Sequence, residues 1–337
     1  MVTIVTGAAG FIGANLVKAL NRRGDTRILA VDNLETAGKF QNLSHCTIAD
    51  YMDKRAFFEA LENDRLDLEV SAVLHQGACS DTMEHDGRYM MDNNFRYTTR
   101  LFRYCQEREI PLVYASSASV YGANQSFREE PSCEAPLNVY GYSKLAFDQF
   151  FRQKAQYEGL TAPCVGLRYF NVYGPYEQHK GRMASVAFHF FNQYQKSGRI
   201  RLFEGCDGFA HGEQRRDFVS VEDVVKVNLW FLEHPEISGI FNLGTGCSRS
   251  FNDMAVATIN ALRATQGEEE LTLPQLLAQK MIEYIPFPED LRGKYQSYTE
   301  ADMKSLLQAG YDAPFLDVTE GVARYVAHMT GVEISTS

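Results

Sequence analysis

Residues 6–13 read Thr-Gly-Ala-Ala-Gly-Phe-Ile-Gly, directly after the short apolar run 3–5. Gly7, Gly10 and Gly13, set between a strand pattern and a helix pattern, constrain this chain more than any other feature. One such glycine permits a tight strand-to-helix turn, one lets backbone approach a pyrophosphate, and one lets helix and strand pack closely. The helix that begins there turns N–H groups and a positive dipole end towards a phosphate. Asp32 closes the next strand pattern, 28–32, where a carboxylate would meet the adenosine ribose. Glycines alone are a weak sign. A strand before them, a helix after them and an acid beyond predict a dinucleotide-binding unit.

The alternation continues. Strand patterns at 72–75, 112–116 and 164–169 are interleaved with helical patterns at 11–22, 53–62, 90–108 and 139–157. Helix-length spacers between buried-type strands predict parallel βαβ units. The expected class is therefore α/β, a Rossmann doubly wound parallel sheet with ligands at the carboxyl ends of its strands. Beyond residue 170 the rhythm changes. Residues 171–182 read as loop, broken by Gly174, Pro175 and Gly181. Helices are expected at 183–196, 221–233, 252–264, 271–281, 299–309 and 317–329, with 217–220 an extended lead-in. We expect a nucleotide-binding domain at 1–170, re-entered by the chain at about 217–250. A smaller α/β substrate-binding lobe is expected mainly over 171–337.

Composition narrows the function. The 337 residues carry 33 Lys and Arg against 43 Asp and Glu, a formal charge of −10, which disfavours general nucleic-acid or anionic-membrane binding. No apolar run reaches the ~18 residues of a membrane helix. The apolar N-terminus lacks a basic leader and reads as strand, loop and helix, not as a signal peptide. Seven scattered cysteines form no Cys-x-x-Cys pair, so neither a disulfide framework nor a metal site is indicated, and a reduced, cytoplasmic protein is expected.

Several residues fall around the expected nucleotide. Asn33 and Lys39 follow Asp32; a lysine there can pair a 2′-phosphate and favour NADP over NAD, although Lys39 also reads as a surface lysine. Lys54 lies near the next strand-like run. Gly77 and Ala78, ending another strand, are small enough to line a cofactor trough. Cys79 reads better as a packing residue than as a nucleophile.

Tyr140 and Lys144 form a Tyr-x-x-x-Lys pair within a helical pattern, on one helix face. An adjacent ammonium is expected to stabilise the phenolate and bring the tyrosine towards the working pH. Ser116 and Ser117 end the preceding strand, and Ser117 is the preferred partner of the reacting oxygen. Such a set removes a hydroxyl proton while the same carbon is oxidised.

Together TGAAGFIG, YASSASVYG, YGYSK and RRDFV resemble the extended short-chain dehydrogenase/reductases that act on nucleotide sugars, over nearly the whole chain. Longer blocks, among them YMMDNN (89–94), RYFNVYGP (168–175), HKGRMASVAFH (179–189) and FNLGTG (241–246), resemble the heptose-epimerising branch of that family. The resemblance implies bound NADP, with NAD possible, an ADP-sugar substrate inverted at C6″, and a homo-oligomer, specifically a pentamer. It implies Tyr140 and Lys180 as two acid/base residues, Ser117 as helper and Lys144 on the cofactor. Phe11, Ile12, Asp32, Asn33, Lys39, Lys54, Gln76, Gly77, Ala78, Cys79, Ser80, Asn93, Val172 and Lys180 would line the cofactor site. Asn171, Arg182, His189, Phe203, Glu204, Gly205, Cys206, Arg216 and Tyr295 would join Ser117 on the substrate.

Two proton donors suit an inversion, because a fixed cofactor must meet each face of one carbon in turn. Arg216 suits a diphosphate clamp, or else a salt bridge to Asp217; Lys180 reads also as a phosphate-binding or surface lysine. Gln76 stands where the resemblance expects Glu, and Arg182 where it expects Ser. Segments 206–214 and 265–281 are longer than the pattern. The Ala118 and Ser119 that follow Ser117 supply no carboxylates for an elimination. A UDP-hexose 4-epimerase would keep Tyr140 and Ser117 without requiring Lys180. A silent NADP-binding regulator would be expected to lose the Tyr-Lys pair.

Overall fold

The computed structural model describes residues 1–289 and 296–332. In chain order the elements begin with β1 (Val2–Thr6), α1 (Phe11–Arg22), β2 (Ile28–Asp32), β3 (Asp50–Asp53), α2 (Lys54–Glu62) and β4 (Val70–His75). Then come α3 (Gly87–Met90), α4 (Tyr97–Glu107), β5 (Leu112–Ser117), α5 (Val139–Tyr157), β6 (Cys164–Tyr169), β7 (Asn171–Tyr173), α6 (Val186–Ser197) and β8 (Ile200–Phe203). The remainder are β9 (Arg215–Arg216), β10 (Phe218–Ser220), α7 (Val221–Glu233), β11 (Gly239–Leu243), β12 (Arg249–Ser250), α8 (Phe251–Thr265), α9 (Leu273–Ala278), β13 (Ile282–Ile285), α10 (Lys304–Gln308) and α11 (Val318–Thr330).

The first compact unit comprises 1–169, 224–243 and 304–311. Its seven-stranded sheet runs β11-β6-β5-β4-β1-β2-β3 and every pair is parallel. Strand order reverses between β1 and β4, and ligands of such sheets bind beyond the strand ends at that reversal. β2 and β6 are buried along their whole length, as strands covered on both faces must be. A core of Ile4, Leu29, Val73, Leu112, Phe102 and Phe147 packs the sheet against its helices. α2 starts where the Asp53 carboxylate accepts from Arg55 N, and α5 where Asn138 accepts from Gly141 N at 2.8 Å.

The second unit comprises 170–223, 244–303 and 312–337. It carries two-stranded pairs β7–β10, β8–β13 and β9–β12. Met254, Ile259 and Leu262 of α8, Val322 and Val326 of α11, and Phe190 of α6 form its core. Ser250 and Asp253 close a reciprocal capping box at the head of α8.

Several expectations need correction. Residues 171–182 are not all loop: Asn171–Tyr173 pairs with Phe218–Ser220. The 271–281 helix ends at Ala278 and gives way to β13. The 299–309 helix is confined to Lys304–Gln308; upstream, Tyr298 bridges to Arg215 and Thr299 N donates to Arg215 O. The 90–108 helix is interrupted by a π-helical turn, Met91–Arg96. Among the described residues no helix is long and apolar enough to cross a membrane.

Candidate active site

β1 runs into Gly7, whose φ of +64° only glycine holds without strain. A β-carbon there would lie 2.7 Å from Gly77 N, so β1 and β4 meet backbone to backbone at the reversal. On Gly13 it would lie 2.0 Å from Gly7 O, which fixes how closely α1 approaches the turn. Gly10 is the N-cap of α1, and no side chain caps that end. Phe11 and Gly13 are buried and Ile12 half-buried in the first turn. The helix N-terminus and its glycine cradle thus fit a pyrophosphate.

Asp32 ends β2, buried, with one oxygen accepting from Ala9 N at 2.8 Å and the other paired to Lys39. Lys39 Nζ also donates to Asn33 O at 3.0 Å. Both carboxylate oxygens are therefore engaged, and Asn33 and Lys39 are gathered beside them. Lys54 heads α2 and donates to Asn93 Oδ1 at 3.0 Å. After β4, Gln76, Gly77, Ala78, Cys79 and Ser80 form an irregular segment. Gln76 donates to Asn228 Oδ1 (3.2 Å) and accepts from the Tyr169 hydroxyl (2.9 Å). A glutamate there would lose the donor, which accounts for the amide at this position.

Two residues that sequence reasoning missed hold this segment. Asn94, in the π-helical turn, accepts from Cys79 N at 2.8 Å and donates to Cys79 O and Ser143 Oγ, both at 3.0 Å. His75, buried, lies between Thr6 Oγ1 (2.6 Å) and Thr98 Oγ1 (2.9 Å). Burial, and secondarily the Lys144 charge, push its pKa down to about 3. A π-bulge is a recurrent mark of functional sites, yet periodicity reads through it, so the sequence held no signal for Asn94.

The two serines separate cleanly. Ser116 Oγ donates to Asp148 Oδ2 at 3.0 Å, within a buried cluster where Asp148 also meets Arg168 Nε at 2.9 Å. Ser117 Oγ accepts from Ser119 N at 3.1 Å, and its hydroxyl acts on the Tyr140 phenol from close by. Lys144, buried, donates to Ala115 O at 2.9 Å. Burial lowers its pKa to about 8, with Asp148 and Cys79 opposing. Burial raises the Tyr140 pKa; Ser117 pulls it partly back, and Cys79 adds to the rise. Burial therefore dominates at Tyr140, and the Lys144 ammonium donates to a main-chain carbonyl.

In the second unit, Asn171 and Val172 lie on β7, and Lys180 and Arg182 on a 3-10 turn, Gln178–Met183. Lys180 is half-buried and its pKa is lowered by burial, partly restored by Glu177. His189 of α6 places Nε2 3.3 Å from Arg182 O. Phe203 ends β8; Glu204, Gly205 and Cys206 follow it, tied to Ile285 O, His211 and Gln214 respectively. Arg216 is buried, with its guanidinium 5.7 Å from the centre of the Phe251 ring. Asp217 takes up Thr245, Gly246 and Ala301 N–H groups. Tyr295 lies outside the described residues.

The parallel sheet, its reversal point and the glycine cradle define a pyridine-nucleotide-dependent enzyme. The chain belongs to the NAD dependent epimerase/dehydratase family, which matches residues 3–244. It is 63% identical over 327 residues to ADP-L-glycero-D-manno-heptose-6-epimerase of Thiobacillus denitrificans, covering 97% of this chain and 98% of that one. Among solved structures it resembles the Helicobacter pylori ADP-L-glycero-D-manno-heptose-6-epimerase, with a TM-score of 0.80, 28% identity, and coverage of 98% and 96%. It also resembles Thermus thermophilus UDP-glucose 4-epimerase in complex with NAD, with a TM-score of 0.76, 27% identity, and coverage of 99% and 100%.

Proposed function

We propose that the chain interconverts ADP-D-glycero-β-D-manno-heptose and ADP-L-glycero-β-D-manno-heptose by oxidation and re-reduction at C6″, supplying heptose for the lipopolysaccharide inner core. The observation that carries the chemistry is the placement of Ser117 at the end of β5 near Tyr140 of α5, with Lys144 one helical turn on. The substrate is taken from the near-full-length relative. Gly7, Gly10 and Gly13 with the α1 N-terminus would hold the pyrophosphate, and Lys39 with Asn33 a 2′-phosphate, so NADP is the favoured cofactor. When bound, it supplies the two-electron oxidation and reduction.

The chain's own residues handle the proton and the geometry. Ser117 holds the C6″ oxygen, and Tyr140 takes its hydroxyl proton in one epimer. Lys180, kept low in proton affinity by burial, serves the other epimer, whose hydroxyl points elsewhere. Arg216 clamps the diphosphate; Asn171, Arg182, His189, Phe203 and Tyr295 orient the sugar. The reading carries with it a cytoplasmic homo-oligomer, a pentamer by resemblance. Proton NMR of the D-glycero substrate with purified protein and no added cofactor tests it. Growth of the L-glycero epimer is expected. No conversion even with NADP present would overturn the substrate, and UDP-hexoses would be tried next.

A further inference from the structure

Glu177 is fully buried, at 0% exposure, yet no feature of the sequence singled it out. One carboxylate oxygen accepts from Ser185 Oγ (2.6 Å), the Tyr325 hydroxyl (3.0 Å) and Gly174 N (3.5 Å). The other accepts from Ser185 N at 2.5 Å. Its main-chain carbonyl accepts from Lys180 N at 2.9 Å. One side chain therefore joins the start of the 174–185 segment, the N-cap of α6 and the side of α11. Lys180 hangs in the middle of that segment. The preceding Tyr176 holds φ +75°, a left-handed backbone that is an outlier for a bulky residue and persists only where its surroundings impose it.

We infer that Glu177 is the positioning residue of Lys180, pinning the turn that presents the amine and holding a buried negative charge three residues before it. The inference rests on the acid/base role proposed for Lys180. The four donors on Glu177 are all uncharged, so its charge is solvated but not cancelled. Among the described residues, the charged and titratable groups about the segment include Tyr176, His179 and Arg182 on the segment itself, His189 on α6, and Tyr325 and His328 on α11. His328 packs against the Tyr176 ring at 5.1 Å. Among the described residues, the Glu177 carboxylate acts on Lys180 and favours its protonated form.

Reductive methylation of Lys180, followed by peptide mass spectrometry across pH, reads the amine directly, with exposed Lys196 as internal reference. Glu177→Gln keeps the shape and removes the charge. Its Lys180 midpoint is expected to fall by about one pH unit, a roughly tenfold faster reaction at fixed pH below the midpoint. An unmoved midpoint overturns the inference, whatever happens to activity. If the midpoint moves while the pH profile of kcat/KM stays in place, Glu177 holds Lys180 as inferred and the catalytic reading of Lys180 fails instead. Should Glu177→Gln not fold, Tyr325→Phe withdraws one donor from the same carboxylate without changing charge. The Lys180 midpoint then rises, and a static midpoint overturns the inference.

Discussion

The Thr6 hydroxyl lies 2.6 Å from His75 Nδ1, joining the carboxyl ends of β1 and β4 at the reversal of the sheet. Thr98 Oγ1 spends its proton on Asn94 O at 2.5 Å, so His75 Nε2 must donate to Thr98 and Nδ1 must accept from Thr6. Thr6 Oγ1 in turn accepts from Gly77 N at 3.2 Å. A single directed chain of hydrogen bonds thus runs from the cofactor trough to the π-helical turn, and it requires a neutral imidazole.

That requirement makes stability depend on pH. The His75 pKa falls from 6.5 to about 3 on folding, so between those values the unfolded chain binds more protons than the folded one. Stability is therefore lost as pH falls through that window, on the order of 1 kcal/mol per pH unit. Urea unfolding of wild type and His75→Gln at pH 7 and pH 5 checks this. The loss on acidification should be smaller in the variant; equal losses would contradict it.

Gly13→Ala forces α1 away from the turn, because the new carbon would lie 2.0 Å from Gly7 O. We expect a stability loss of about 1–3 kcal/mol and a larger proportional loss of nucleotide affinity. Thermal unfolding with and without NADP separates the two effects. A variant that binds NADP like wild type would contradict the close-approach argument.

Lys39 pairs with Asp32 and touches Asn33. Lys39→Met leaves the Asp32 charge facing any 2′-phosphate. The preference for NADP over NAD, measured by calorimetric titration, should drop at least about tenfold. An unchanged ratio would remove Lys39 from the cofactor site.

Asp148→Ala removes one of the two buried carboxylates that pair with the fully buried Arg168, leaving Glu134, and leaves the Tyr114 and Ser116 hydroxyls without their acceptor. Breaking a buried pair in this way costs about 3–5 kcal/mol. Chemical denaturation measures it, and a loss below about 1 kcal/mol would show the cluster to be dispensable.

Legibility followed burial. β1, β2, β4, β5 and β6 stood out as apolar runs, because strands covered on both faces must be apolar. β3 did not: at the sheet edge its Asp50, Tyr51 and Asp53 are exposed, so no run marks it. β8 and β13 escaped because each is four residues long and pairs across some 80 residues of chain. The preference for Ser117 over Ser116 came from position alone; the bond that ties Ser116 to Asp148 could not be read there.

The sequence by itself determined the nucleotide-binding architecture and the residue types of the proposed proton-transfer set. Turn glycines, strand periodicity and i,i+4 spacing are local properties, and each follows from backbone geometry. Tertiary structure alone decided the protonation behaviour and the supporting contacts. Tyr140 is raised and Lys144 lowered because burial removes water from both, and desolvation depends on what the whole fold packs around a group. Asn94 and Glu177 act on partners brought to them by folding: Asn94 on Cys79 and Ser143, Glu177 on Ser185 and Tyr325. No spacing within the chain encodes such meetings, since they exist only once distant segments share one core.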